Sequence, residues 1–215
     1  MTEKIASDFV WYYNNGYITS RDGNAAYRDN DVYVVTASGK VKNNLDPLFD
    51  FTLVDKDLKV LDACPFKPSI EASAHIQLLE QSKKNCSVHV HSPNTVALAT
   101  LFDKVKYKFG PSTNVLVSVL NNDWPELFRY TKVGNVVPFL APGSKELHNA
   151  ILDCLLFSLS EKGPSYSDII ILQRHGVFAI GNSMEECREH IVRLEHISTI
   201  LLKIISASGN IASIL

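Results

Sequence analysis

The chain has no paired cysteines. Cys64, Cys86, Cys154 and Cys187 lie far apart, without a C-x-x-C spacing. They read as buried free thiols in a reducing compartment. Nor is there an excess of one charge. Lysine and arginine number 21 and aspartate and glutamate 23, for a formal net charge of -2. With no basic stripe or acidic tail, nothing points to nucleic acid or a membrane surface as a partner. A small anionic substrate stays open, because a few local donors can bind one. The most apolar stretch, Ile197 to Ile205, is interrupted by Ser198 and Lys203 and falls short of a bilayer span. Residues Met1 to Ile5 include an acid and lead into Trp11-Tyr12-Tyr13, not into the basic-then-apolar order of a signal peptide. Internal repeats and low-complexity segments are absent. Together these absences predict a cytoplasmic protein.

The 215 residues, 46% of them hydrophobic, suffice for one sizeable core, and a single domain over 1–215 is expected. Turn signals crowd the first third. Asn14-Asn15-Gly16 and Asp22-Gly23-Asn24 flank a short β-branched piece, Tyr17 to Ser20, which reads as a first strand. Strands are predicted at Val32 to Thr36 and, as a hairpin around Asp55-Lys56-Asp57, at Phe51 to Val54 and Lys59 to Leu61. A helix from about Ser69 to Ser82 precedes a strand at Ser87 to His91. Ser92-Pro93 then opens another helix, with serine as N-cap and proline at the first position. Val115 to Leu120 reads as a strand. Ser144 caps a helix whose stripe is Leu147, Ile151, Leu155 and Leu159 and which Gly163 ends. Asp168 to Leu172 and Phe178 to Ile180 read as antiparallel strands. Ser183-Met184-Glu185-Glu186 is a capping box opening the last helix. Such a mixture, without regular β-α alternation, implies an α/β sandwich on a mixed or largely antiparallel sheet.

The chemistry sits in the histidines. His89 and His91 are two apart on a strand, so they share a face, and Ser92-Pro93 puts them at the strand's end. His175, just past the strand ending at Leu172, also lies at a strand end. Three neutral imidazoles with a free position are what a catalytic zinc needs. A lone H-x-H is more often a hydrogen-bonded or surface pair. Cys86 is an odd number of residues from both histidines, so a regular strand turns it to the other face and away from a closed structural site. A cupin would continue the strand, and an amidohydrolase barrel would need a longer chain. His75, His148, His190 and His196 fall inside helical patterns and read as face or packing residues.

Several segments, in order along nearly the whole length, resemble the class II aldolase/adducin family, typified by L-fuculose-1-phosphate aldolase. They are Gly16-Tyr17-Ile18-Thr19-Ser20-Arg21, Thr36-Ala37-Ser38-Gly39, Lys67-Pro68-Ser69-Ile70-Glu71, His89-Val90-His91-Ser92-Pro93, Ala141-Pro142-Gly143-Ser144-Lys145-Glu146-Leu147 and His175-Gly176. The resemblance implies a three-layer α/β/α sandwich with a central mixed, largely antiparallel sheet, commonly a homotetramer with active sites between subunits. It implies a divalent metal, usually Zn2+ with Mn2+ or Co2+ as alternatives, on His89, His91 and His175. It puts Glu71 at the catalytic acid/base position, and Ser38, Gly39 and Ser69 at the substrate's anionic end. Taken alone, Glu71 is an ordinary first-turn glutamate and Ser38-Gly39 a turn.

Departures occur where the family binds phosphate. Tyr17 stands where asparagine is usual, and Ile70 replaces a serine. The stretch before Asn14 is short, which curtails the first helix. A catalytic tyrosine has two candidates, Tyr107 and Tyr130, and no motif to choose between them. The activity so implied is that of a lyase: an aldolase cleaving a small ketose phosphate, a sugar phosphate, to dihydroxyacetone phosphate and an aldehyde through an enediolate. Rival readings are a dehydratase or 4-epimerase on the same site, with Glu71 leaning away from the epimerases, or a non-catalytic adducin-like binding protein, against which the three histidines argue.

Overall fold

The computed structural model describes residues 1–61, 65–109, 115–160 and 163–210, without the side chains of 103–109 and 158–160. Cys64 and the side chain of Tyr107 lie outside the described residues. Helix α1 (Thr2–Asn14) leads into strands β1 (Asn24–Asp29), β2 (Val32–Thr36) and β3 (Phe51–Val54). Helix α2 (Ala72–Ser82), strand β4 (Cys86–Val90) and helix α3 (Pro93–Phe109) follow. Then come α4 (Val115–Asn122), α5 (Pro125–Tyr130), α6 (Lys145–Asp153), the hairpin β5 (Leu156–Ser160) and β6 (Gly163–Tyr166), β7 (Ile169–Leu172), β8 (Gly176–Gly181) and α7 (Met184–Ser208).

Six strands form one sheet in the order β3-β2-β1-β4-β8-β7, antiparallel at every neighbouring pair. Among the described residues, parallel pairing enters only as isolated bridges, Val133 with Ile169 and Val137 with Leu172. Strand parity sorts the side chains into two cores. Val88, Val90, Ile169, Ile171, Val177 and Ala179 face a cluster with Phe9 and Tyr12 of α1, Leu98 of α3, Leu120 of α4 and Ile191, Leu194 and Leu201 of α7. Ile170, Leu172, Phe178 and Ile180 face the other way, onto Ile76, Leu78 and Leu79 of α2 and Leu147 and Ile151 of α6. Each Val, Leu, Ile or Phe among them contributes about 1.5–3 kcal/mol on burial. The fold is the expected three-layer sandwich, with β4 central and apolar on one face only.

Several local expectations fail. Tyr17 to Ser20 is not a strand. The Tyr17 ring stacks on Trp11, with centroids 5.5 Å apart, and its carbonyl accepts the His91 N–H at 3.1 Å. The first strand instead begins at Asn24, inside the segment read as a turn. Val115 to Leu120 is helical, because Leu116, Val119 and Leu120 turn one helix face onto the core. Helix α6 stops at Asp153, so Leu155 lies beyond it and Leu159 falls in β5. Gly163, at φ +104°, opens β6 rather than capping a helix.

Ser92 does not cap α3 with its side chain. Its hydroxyl is buried without a partner, and only its carbonyl accepts, from Val96 N–H at 3.0 Å. The cap comes from α7. Glu195 accepts the backbone N–H groups of Asn94 and Thr95, both at 2.9 Å, and the Thr95 hydroxyl at 2.8 Å. A carboxylate at a helix N-terminus meets both the free N–H groups and the favourable end of the dipole. It also anchors the turn that follows the paired histidines. Glu195→Ala is therefore expected to destabilise the protein by about 2–3 kcal/mol in urea titrations, against less than about 0.5 kcal/mol for Ser92→Ala.

Candidate metal centre

Strand β4 turns Ser87 and His89 toward α2 and its valines away. The chain leaves the strand at His91, beside the β7–β8 turn that carries His175. Position 176 has no room for a side chain. A Cβ there would lie 2.3 Å from the Val90 carbonyl oxygen, 2.9 Å from His89 Cε1 and 3.1 Å from His91 Cδ2. Glycine thus lets β8 slide under the two rings. The three imidazole centroids lie 4.8–5.1 Å apart, and one nitrogen from each ring falls within 4.8 Å of the other two.

The tautomer of His89 is fixed. Its Nδ1–H donates to the Val177 carbonyl at 3.0 Å, which leaves the Nε2 lone pair facing His91 Nε2 at 3.1 Å. Burial drives the His89 pKa well below its usual value, and the neighbouring imidazoles add to this. Burial lowers His91 too, against the pull of Asp22, whose carboxylate stands 3.8 Å from His91 Nδ1. Both rings are neutral at physiological pH, the form a metal ligand must take. Asp22, missed in the sequence, is half-buried. Burial alone would raise its pKa, but the Thr19 hydroxyl at 2.6 Å and His91 outweigh it and hold it low.

Glu71 is the N-cap residue of α2 and is 7% exposed. Its Oε2 stands 3.6 Å from His89 Nε2 and its Oε1 3.5 Å from His175 Nε2. Asn24 Nδ2 donates to Oε2 at 2.7 Å, while Oε1 is buried with no protein partner. An unpartnered buried carboxylate oxygen facing three imidazoles fits a divalent cation or a substrate hydroxyl close by. Cys86 is buried on the opposite face of β4.

Ser38, Gly39 and Ser69 line a cavity of about 300 Å³ that also reaches Glu71, His91 and His175. Two cations share it. Arg21 donates to the Gly39 carbonyl at 2.8 Å, and Lys42, only 4% exposed, sits behind Ala37. Burial brings the Lys42 pKa down to about 8, with Asp50 opposing. Sequence reading missed Lys42, three residues past the Ser38-Gly39 turn in a 3-10 turn that leaves no periodic signal. Tyr17 is turned away into the aromatic stack and does not line the cavity. Ile70 does, and it also borders a second cavity of about 230 Å³ with Ala74, Leu147, His148 and Ile151. Tyr130 is half-exposed and packs against Arg129 and Arg193. His190 bonds Thr131, and His196 is exposed. His75 is no simple packing residue: both its nitrogens are hydrogen-bonded.

The sequence profile of the class II aldolase and adducin N-terminal domain matches residues 3–202. The chain belongs to that family. It is similar to the methylthioribulose-1-phosphate dehydratase of Persephonella marina, 26% identical over 206 residues that cover 93% of this chain and 88% of the relative. Others of that name match at 22–25%. The L-fuculose phosphate aldolase of Methanococcus vannielii is 23% identical over 86% of this chain and 90% of its own. Among solved structures, L-fuculose-1-phosphate aldolase from Thermus thermophilus superposes with TM-score 0.68 at 21% identity, covering 95% and 94% of the two chains, which establishes the shared fold. Enzymes of the family use a divalent metal, and the three-histidine cluster is where this chain can hold one. Among the described residues, no helix is long and apolar enough to cross a membrane.

Two outcomes are expected. Purified protein carries about one divalent metal per chain by elemental analysis, and His89→Ala and Gly176→Ala both lose it, the second by displacing the rings. Lys42 gives a pH signature. Its folded pKa of about 8 lies below the usual 10.5, so the folded chain disfavours the protonated amine. That penalty is full below pH 8 and is relieved as pH rises toward 10.5. Lys42→Met should therefore be more stable than the parent at pH 7, with the margin closing between pH 8 and 10.5 in denaturant titrations.

Proposed function

We propose that this protein is a metal-dependent lyase of a ketose 1-phosphate, and that the reaction is dehydration. The observation that carries the reading is the meeting of two cavities at Glu71 and Ile70. One holds Arg21 and Lys42; the other has an aliphatic side of Ala74, Leu147 and Ile151 alongside Ser144, Lys145 and His148. A substrate with phosphate at one end and an apolar group at the other spans them with its reacting carbons beside Glu71. Methylthioribulose 1-phosphate has that form, and its dehydratases recur among the relatives.

In this reading a divalent cation on His89, His91 and His175 would supply Lewis-acid stabilisation of negative charge at the substrate's carbonyl oxygen, worth several kcal/mol. Imidazole ligands suit zinc, with manganese or cobalt as alternatives. Arg21, Lys42, Ser38, Gly39 and Ser69 bind the phosphate, and that dianion favours the protonated form of Lys42. Glu71 removes the proton from the carbon next to the carbonyl. The hydroxyl of the following carbon then departs as water, taking up the proton that Glu71 removed; one C–H and one C–O bond break, a double bond forms between the two carbons, and the resulting enol tautomerises to a diketone. Burial keeps bulk water from competing for that proton.

Aldol cleavage is the second reading, favoured by the Methanococcus aldolase relative. The same carboxylate would then return a proton to the same carbon after the C–C bond breaks. The sequence motifs alone put cleavage first; the dehydratase relatives and the aliphatic side of the second cavity move dehydration ahead. A homotetramer goes with either.

Metal-loaded protein should convert methylthioribulose 1-phosphate to a diketone with loss of one water, followed by mass spectrometry. It should release no triose phosphate from that substrate. Glu71→Gln is expected to cut kcat by about 10²–10⁴ while keeping its metal. Triose phosphate from L-fuculose 1-phosphate with no diketone would assign cleavage instead, and inactivity toward both would overturn the lyase reading.

A further inference from the structure

Glu71 does not hold its pose alone. A buried hydrogen-bonded chain runs to it from the centre of the sheet, through His75 and Ser87, which line neither cavity, and Asn24, which lines the first. His75 lies one helical turn after Glu71 on α2, fully buried, with its ring centroid 4.9 Å from that of Phe178. Its Nδ1 is 2.8 Å from the Ser87 hydroxyl on β4, and its Nε2 is 2.5 Å from Asn24 Oδ1 on β1. Asn24 Nδ2 donates to Glu71 Oε2 at 2.7 Å. The two strands keep these groups in register, because Asn24 pairs directly with His89.

Donor and acceptor chemistry gives this chain one direction. The carboxylate oxygen accepts, so Asn24 presents its NH2 to Glu71 and its oxygen to His75. An amide oxygen only accepts, so His75 carries its proton on Nε2. The ring is neutral, since burial holds its pKa down to about 3. Nδ1 is then an acceptor, and Ser87 donates its hydroxyl hydrogen. Asn24 cannot flip without setting its NH2 against the Nε2–H and its oxygen against a carboxylate. The Glu71 Oε2 is thereby occupied, and Oε1 is left free toward His175 at 3.5 Å.

We propose that His75, acting through Asn24, is a positioning residue that fixes the Glu71 carboxylate so that Oε1 alone carries the transferred proton. This rests on Glu71 being the proton-transfer group of the lyase reading. Ser87 holds the tautomer, His75 locks the amide, and the amide locks the carboxylate.

The test compares His75→Phe, which keeps a ring against Phe178 but donates nothing, with His75→Gln, whose terminal NH2 still reaches the amide oxygen. His75→Phe is expected to lower kcat between about 10- and 100-fold, with KM and bound metal within twofold of the parent. His75→Gln should recover most of that loss. Nitrogen-15 spectra of the parent should show His75 protonated at Nε2 and not at Nδ1, a readout that needs no substrate and stands even if His75→Phe fails to fold. A proton found on Nδ1, unchanged kcat in His75→Phe while Glu71→Gln is inactive, or equal losses in the Phe and Gln variants would each overturn the relay. Inactivity of the parent toward both sugar phosphates would remove the lyase reading instead, leaving the spectra to decide the relay's hydrogen bonds.

Discussion

Neutral imidazoles beside a buried carboxylate are the constraint on which this structure turns. Removing an unpaired charge from water is costly, by several kcal/mol per ion after relaxation. Here desolvation settles the matter for His89 and His91 by stripping their protons. That leaves lone pairs converging on a point near Glu71, a group with one oxygen satisfied by Asn24 and the other by nothing in the protein. A divalent cation answers both needs, because it accepts the imidazole lone pairs and compensates the carboxylate. The same burial that makes the site expensive in the bare chain therefore makes it selective for a cation.

The scaffold's contribution is to hold two strand ends at contact distance. β4 and β8 pair along Cys86 to Val90, and the absence of a side chain at Gly176 brings the β8 backbone against the rings. α3 must then leave β4 at a fixed angle, and the Glu195 carboxylate, from a helix about a hundred residues later, fixes it. A one-residue slip of β4 would turn His89 into the α7-side core and the valines into the site. The two-sided burial of the sheet makes that slip prohibitive, so the core on each face enforces the geometry of the site at its edge.

Much of the centre was legible because strand parity is simple. Two apart means the same face and one apart the opposite face, which separates His89 from Cys86 before any coordinates. The motifs near the cavity that holds Arg21 and Lys42 were legible only in part. Ser38, Gly39 and Ser69 line it, but Lys42 lies in a 3-10 turn where neither period 2 nor period 3.6 marks a face. His75 resembled a helix-packing residue because its helix does pack; only its strand neighbours, Asn24 and Ser87, reveal a polar role, and they are remote in sequence. The misread elements share one cause. Val115 to Leu120 is a short apolar run, and such runs carry no period that separates helix from buried strand. Leu155 and Leu159 continue the α6 stripe in sequence while the chain turns into a hairpin. In both places tertiary packing decided what local preference left open.

The departures from the family's phosphate donors also find a physical account. Losing an asparagine at position 17 removes a donor from one wall, and Tyr17 fills the α1 side with aromatic contact instead. Arg21 and the buried Lys42 add charge from the facing wall, and charge-assisted bonds are roughly twice as strong as neutral ones. Ile70, which replaces a serine, sits on the boundary between the two cavities. In the proposed reading the exchange trades a hydrogen-bonding group for an aliphatic wall at that boundary, where each methylene of a substrate that is buried is worth about 0.8 kcal/mol. The far end of the substrate would then be distinguished at Ile70 and beyond, and the proton moved at Glu71.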